Sequence, residues 1–513
     1  MGDDGTEIEL ALRATPGDAE RLLASPTLAE MSRGVARRAR LVSTYFDTPD
    51  LQLRAVGAVL RLRKQGRRVV QTLKTAPRPG DPAALRGEIS RTVRGAGPDL
   101  GGAEEGAVLA ELGLDAGIAA TLVPIFVTDF ERIAVPLALG GSTFELAVDR
   151  GEIRAGGAVA ALCDVEIELR AGAIGDLYAV ALALHAAVPM ALQPLAKSAR
   201  AHALRAGGTI APMRAERPRL ARKVAIGPAF RGILRTCLAQ LRANAAAIDA
   251  GDDPVAVHQF RVALRRLRSA FAAFAAAMPA AERRRFSASL RRVARRSDAA
   301  RELDVFVAEM LPALRRRIGD PEALAAVEAV AESARAVARD RVRAMLRDPG
   351  FAATVLRLEA WVEGEGWRRA ARDAYDMPAR GHARDTLRRL QRKLLRDGRA
   401  IGDLEAEALH RLRLRAKKLR YAAEFFRDLF PRSGARGYLA ALAGVQDQLG
   451  ALNDSVTLRA LLARLGRRRV ADRAAFARGS AAVLGWCAAR EAGELERLPA
   501  AWERFRDRRS FWA

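Results

Sequence analysis

Three cysteines in 513 residues are too few to staple a fold, and Cys163, Cys237 and Cys487 stand too far apart to share a metal. That scarcity excludes a disulfide framework and any zinc-finger spacing, and it predicts a reducing compartment. Long apolar runs are missing too. The longest Ala-rich stretch, near residues 269–281, is shorter than the roughly 20 residues a membrane-spanning helix needs. The opening MGDDGTEIEL is acidic and has no apolar signal segment, so a cytoplasmic protein without a membrane partner is expected. Aromatic residues are only 5% of the chain, which leaves little material for the stacking platforms that bind single-stranded nucleic acid.

Excess positive charge is what the first part of the chain lacks. The formal net charge is +26, yet residues 1–205 hold 24 Lys and Arg against 25 Asp and Glu. The other 308 residues hold 62 against 35 and carry all of the excess. Such asymmetry predicts two domains with different electrostatic tasks, the basic one facing a polyanion: nucleic acid, anionic membrane or polyphosphate. Charge alone does not choose among them.

Period-2 patterning predicts about eight strands between residues 7 and 170, with short helices over 16–24 and 174–187. That many strands in a small domain point to a closed antiparallel barrel over residues 1–206. Residues 207–219 carry Gly and Pro without periodicity and read as a linker. Residues 220–513 read as helical throughout, in eight to ten helices. Within them one pattern occurs twice, 152 residues apart. His258, Arg261, Arg265 and Arg268 recur as His410, Arg413, Lys417 and Arg420. At about 100° per residue each quartet lines one stripe of a helix, with Phe260, Leu264, Leu267, Phe271 and Phe274 opposite the first and Leu412, Leu419, Ala423 and Phe426 opposite the second. Like charges in one row repel unless an anion lies along them. A second echo, Arg301-Glu302-Leu303-Asp304 and Leu452-Asn453-Asp454, follows each histidine at nearly the same distance. The expected architecture is therefore α+β and multidomain: an eight-stranded antiparallel tunnel, then an all-α domain of two related bundles.

On the strands, Glu7 and Glu9 share a face, as do Arg61 and Arg63, Thr72 and Lys74, Arg86 and Glu88, and Glu166 and Glu168. Paired carboxylates repel unless a divalent cation joins them, and Arg and Lys hold phosphate oxygens. Acids for metal and bases for phosphate make up the layout of metal-assisted phosphoryl transfer. Glu7-Ile-Glu9, Tyr45-Phe-Asp-Thr, Arg61-Leu-Arg63, Thr72-Leu-Lys74, Asp149-Arg-Gly151, Glu166-Ile-Glu168 and Lys197-Ser-Ala-Arg200 together resemble the CYTH, or triphosphate tunnel metalloenzyme, family. The resemblance implies a tunnel where Mg²⁺ or Mn²⁺ meets a triphosphate. It implies Glu7, Glu9, Glu166 and Glu168 as metal or water-positioning ligands, with Glu88 and Asp149 as further metal candidates. Arg61, Arg63, Lys74, Arg132, Lys197 and Arg200 would hold phosphates, and Glu7, Glu9 and Lys74 would be catalytic. Ala11 stands where the family motif has Lys. Loss of one such electrostatic contact costs about 10²–10³ in rate. Arg13, on the same face, is the candidate substitute.

The twin His–Arg stripes, with Gln446-Asp447 and Asn453-Asp454, resemble the CHAD, or conserved histidine α-helical, family. That implies a basic groove binding inorganic polyphosphate through His258, Arg261, Arg265, Arg268, His410, Arg413, Lys417 and Arg420. Cations around each histidine are expected to keep it neutral near pH 7. The expectation is a metal-dependent inorganic triphosphatase joined to a polyphosphate-binding domain, cytoplasmic and associated with polyphosphate granules. The alternatives are a catalytically weak polyphosphate-binding protein and a basic nucleic-acid-binding protein, the latter disfavoured by the scarcity of aromatics.

Overall fold

The computed structural model describes residues 6–65, 68–75, 85–95, 97–364, 367–368, 372–431 and 433–512. It comprises two compact units. The first is Met1–Pro212 with Arg242–Gly251 and Met345–Gly366, and the second is Met213–Leu241, Asp252–Ala344 and Trp367–Ala513.

The first unit is built on β1 (Thr6–Arg13), β2 (Arg37–Asp47), β3 (Ala58–Gln65), β4 (Arg68–Thr75), β5 (Leu85–Val93), β6 (Val123–Leu139), β7 (Ser142–Ala155), β8 (Ala158–Ala171) and β9 (Ala191–Leu192). They form one antiparallel sheet in the order β5-β4-β3-β2-β6-β7-β8-β1-β9. β1 also pairs with β5 over Thr6–Ile8, so the ends of the ladder meet. The strand count is nine rather than eight. The extra strand, β9, has two residues and pairs with Leu12 and Arg13 of β1. A two-residue strand has no alternation to read in a sequence.

Three local features set the inner wall. Asp47, buried, accepts from the backbone N–H groups of Thr48 (2.8 Å), Leu53 (2.9 Å) and Arg54 (3.0 Å). It thereby fixes the turn after β2, where Leu51 adopts φ 63°. Gly151 permits the close approach of β7 to β6, because a Cβ there would lie 2.5 Å from Phe130 Cα. Helix Lys197–Arg205 carries Lys197 and Arg200 on its first turn. Elsewhere in the unit, helix Pro349–Glu363 packs on helix Ile174–Ala187 and on β9, with a buried Arg242–Glu359 ion pair at 2.9 Å.

The second unit is helical. Asp253 caps helix Pro254–Ala273 by accepting from Val255 N–H at 2.8 Å, with Pro254 in the first turn. The apolar face of this helix is fully inside, Phe260, Leu267, Phe271 and Phe274 each having no exposed surface. Leu412, Leu419, Ala423 and Phe426 are likewise buried on helix Ala406–Phe426. The hydrophobic effect thus sets the rotation of both helices and leaves their charged stripes on the other side. No described helix is long and apolar enough to cross a membrane.

Candidate functional site

In the first unit a cavity of about 330 Å³ is lined by Glu9, Tyr45, Arg61, Arg63, Lys74, Arg132, Glu145, Glu166, Glu168 and Lys197, among others. Strand register explains the layout. Glu9 lies opposite Glu168, and Glu168 opposite Glu145, so three carboxylates form one row across β1, β8 and β7. Arg61 lies opposite Tyr45, and Arg63 opposite Ser43, on β3 and β2. Arg63 Nε donates to Ser43 Oγ at 3.0 Å. Burial, then Arg61, lowers the Arg63 pKa to about 10, still cationic at neutral pH.

Some expected site residues are engaged by partners of their own. Arg132 donates to both oxygens of Asp149 at 2.7 Å and to Glu166 at 2.6 Å. Lys197 Nζ lies 2.7 Å from Asp149 and also pairs with Glu166. Burial by itself would raise the Glu166 pKa, but Lys197 and Arg132 hold the carboxyl well below its usual range. Burial would likewise lower that of Lys197, and Glu166 and Asp149 reverse it. Asp149 has no exposed surface and does not line the cavity. Glu88, off the cavity wall, pairs with Lys74 at 3.0 Å and approaches Arg61 at 4.0 Å. Arg200 turns to Asp164 at 2.6 Å. Arg13 pairs with Asp249 at 2.9 Å and is not part of the lining, so it does not take the place of the motif Lys. The side chain of Glu7 lies outside the described residues; its backbone pairs with Arg86 on β5.

Of the charged and aromatic lining residues, Glu145 and Tyr45 are the two that the sequence did not single out. Glu145 sits at period 2 from Ala147 and Asp149, a signal available in β7 but easily lost beside its apolar neighbours. Tyr45 belongs to a recognised segment and reads as an ordinary strand aromatic.

Mg²⁺ and Mn²⁺ prefer hard oxygen donors, and Mg²⁺ keeps several waters while using one or two protein carboxylates plus substrate phosphates. Among the described residues no three His, Cys, Asp or Glu side chains converge as a self-sufficient metal cage. The Glu9–Glu168 pair facing the cavity, with Glu166 two residues along, fits the less demanding arrangement.

In the second unit the two stripes come together. Arg265 acts electrostatically on His258, Arg261 and Arg268 of its own helix and on Arg413 and Lys417 of the other. Burial, followed by Arg301, Arg265, Lys417 and Arg261, lowers the His258 pKa to about 4. The histidine is neutral near pH 7, as expected, with burial the largest single cause and the cations adding to it. Arg261 is pinned by Asp298 (2.6 Å), the Ala294 carbonyl (2.7 Å) and Ser297 (3.0 Å). His410 Nδ1 bonds Asn453 Oδ1 at 2.7 Å. Arg420 engages Glu424 at 2.8 Å and Gln446 at 3.1 Å. Burial, then Arg413 and Arg265, brings Lys417 down to about 7. The second echo differs between halves. Asp454 approaches Arg413 at 4.0 Å, whereas Asp304 is fully buried between Arg335 (2.8 Å) and Arg339 (2.6 Å).

Among solved structures, the chain is similar to the CHAD domain from the plant Ricinus communis. The identity is 30%, over 58% of this chain and 98% of that one, with a TM-score of 0.51. It is also similar to PptA from Streptomyces chartreusis, at 16% identity over 55% of this chain and 98% of that one, TM-score 0.39. A third is a putative adenylyl cyclase from Hippeastrum with a dominant triphosphatase activity, at 18% identity over 40% of this chain and 98% of that one, TM-score 0.28. The CYTH domain family model matches residues 5–198 and the CHAD domain family model residues 232–463. With carboxylates and bases around one cavity and twin cationic stripes on paired helices, the chain belongs to both families, a CYTH domain followed by a CHAD domain.

Proposed function

We propose that the CYTH cavity hydrolyses inorganic triphosphate with a divalent metal, and that the CHAD stripes hold inorganic polyphosphate. The CYTH family takes in triphosphatases and adenylate cyclases, and its members are generally metal-dependent. The observation that carries the reading is the lining itself: Glu9, Glu166 and Glu168 share one 330 Å³ cavity with Arg61, Arg63, Lys74, Arg132 and Lys197. Arg61, Arg63 and Lys74 supply donors along one wall, where the charge of a triphosphate is neutralised and its terminal group oriented. Glu9 and Glu168 would hold Mg²⁺ or Mn²⁺, which, when bound, would offset charge on the phosphate oxygens, with Glu166 beside them paired to Lys197 and Arg132. Asp149, buried beneath the lining, acts by orienting Arg132 and Lys197. The cavity's aromatic among the described residues is Tyr45, 5% exposed and stacked on Phe126. It offers no face for a nucleobase, which favours an inorganic substrate over a nucleotide.

A second reading, a tunnel that binds without efficient turnover, is supported by Ala11 and by the diversion of Arg13 to Asp249. One experiment separates the two: phosphate release from tripolyphosphate with Mg²⁺ or Mn²⁺, in wild type, Glu9→Gln and Ala11→Lys. Metal-dependent release that Glu9→Gln abolishes supports the enzyme. Release seen only after Ala11→Lys supports the weak tunnel, and binding without release in all three overturns hydrolysis. For the stripes, polyphosphate competing against a DNA duplex at fixed salt distinguishes a polyphosphate site from a nucleic-acid site.

A further inference from the structure

We propose that Tyr45 is a substrate-contacting residue of the tunnel, its hydroxyl donating a hydrogen bond to a non-bridging oxygen of the bound triphosphate. The inference rests on reading the cavity as a triphosphate site. Tyr45 lines that cavity from β2, directly opposite Arg61 and two residues from the Ser43 that holds Arg63. Its ring stacks on Phe126 with centroids 4.4 Å apart and planes 23° from parallel. The position of the phenol oxygen is therefore set by packing, and only the O–H torsion remains free.

The chemistry around that oxygen is one-sided. Arg61 faces Tyr45 across the β2–β3 pair, and the charges of Arg61, Arg63 and Lys197 act on the phenol. Guanidinium and ammonium groups only donate, so none of these three can accept the phenol proton. A phosphate chain presents acceptors alone and can accept it. Burial pushes the Tyr45 pKa up, but the three cations outweigh it and leave the group below its ordinary value. An arriving anion offsets those cations, so the phenol keeps its proton in the complex. A neutral donor at this point adds a hydrogen bond without another positive charge beside Arg61 and Arg63.

The test uses the full chain with metal chelated, in an Arg265→Gln/Lys417→Gln background that removes tripolyphosphate binding to the stripes. Calorimetry with tripolyphosphate compares Tyr45 with Tyr45→Phe, which keeps the ring stack. A loss of about 10- to 100-fold in affinity is expected, the range for a hydrogen bond to a charged acceptor. In parallel, ultraviolet titration of tyrosinate follows the phenol itself. One transition is expected to rise by about 1 pH unit or more on adding tripolyphosphate and to be missing in Tyr45→Phe. The other four tyrosines, Tyr178, Tyr375, Tyr421 and Tyr438, do not line the cavity. The wild-type titration therefore carries the test even if the variant fails to fold. Equal affinities with an unmoved transition would overturn the role of Tyr45 alone. No binding by the Tyr45 protein, with metal chelated and again with Mg²⁺ restored, would overturn the triphosphate reading with it.

Discussion

If the helical stripes hold polyphosphate as proposed, Lys417 makes that binding depend on pH. Its ammonium is lowered first by burial, then by Arg413 and Arg265, with Asp454 offsetting only part, and it titrates at about 7. A polyphosphate lying on the stripes replaces that repulsion with attraction and returns the group toward its ordinary 10.5. Above pH 7 binding must then take up a proton. Affinity is full below about pH 7 and falls by up to tenfold for each further unit. Between about pH 6.5 and 8.5 the linkage amounts to roughly a 25-fold loss for one such group. His258, at about 4, stays neutral across this range and adds no slope. The assay is calorimetry with long-chain polyphosphate at fixed ionic strength. Lys417→Arg, whose guanidinium remains charged, is expected to flatten the profile. A wild-type change below about threefold, or a slope that persists in Lys417→Arg, would refute the reasoning. In the free protein the same shift acts on stability with the opposite sign. The unfolded lysine keeps its proton to about 10.5 and the folded one only to about 7, so stability rises with pH between them.

Three further outcomes follow from the ion pairs. Arg13→Ala removes a partly exposed pair and is expected to cost about 0–1 kcal/mol in urea unfolding, with phosphate release unchanged within about twofold because Arg13 is not in the cavity wall. Asp149→Asn leaves Arg132 and Lys197 facing each other with Glu166 alone between them. Breaking a buried network this way costs about 3–5 kcal/mol, read as a lower urea midpoint with an unchanged slope. Asp454→Asn removes the carboxylate 4.0 Å from Arg413. It is expected to tighten polyphosphate binding by about 2- to 5-fold at low salt, an effect that fades as salt screens the groove.

Much of the candidate site is legible in the sequence because its residues obey a period. Arg61 and Arg63, or Glu166 and Glu168, alternate along strands and must share a side. His258 and Arg265, or His410 and Lys417, recur at helical spacing opposite residues such as Phe260 and Leu412 that can only go inside. The errors have a common form. Arg13 lies on the correct strand at the correct parity, yet Asp249, 236 residues away in sequence, claims it. Asp149 and Glu166 look alike as acids, yet the first is covered by Arg132 and Lys197 and the second reaches the cavity. The paired echoes Asp304 and Asp454 differ in the same way, one neutralised in the core and one beside Arg413 of the second stripe.

The sequence by itself determined the two-domain plan, the strand and helix periods, the side on which each charged row falls and the family resemblances, because local patterning and residue chemistry decide those. Tertiary structure alone decided which of those charges remain available to a ligand. Strand register set Tyr45 against Arg61 and Glu9 against Glu168. Long-range pairing spent Arg200 on Asp164, while Arg132, held by Asp149, still lines the cavity. A side chain's periodicity names the face it lies on, but its charge is felt by a substrate only if no nearer opposite charge has already neutralised it.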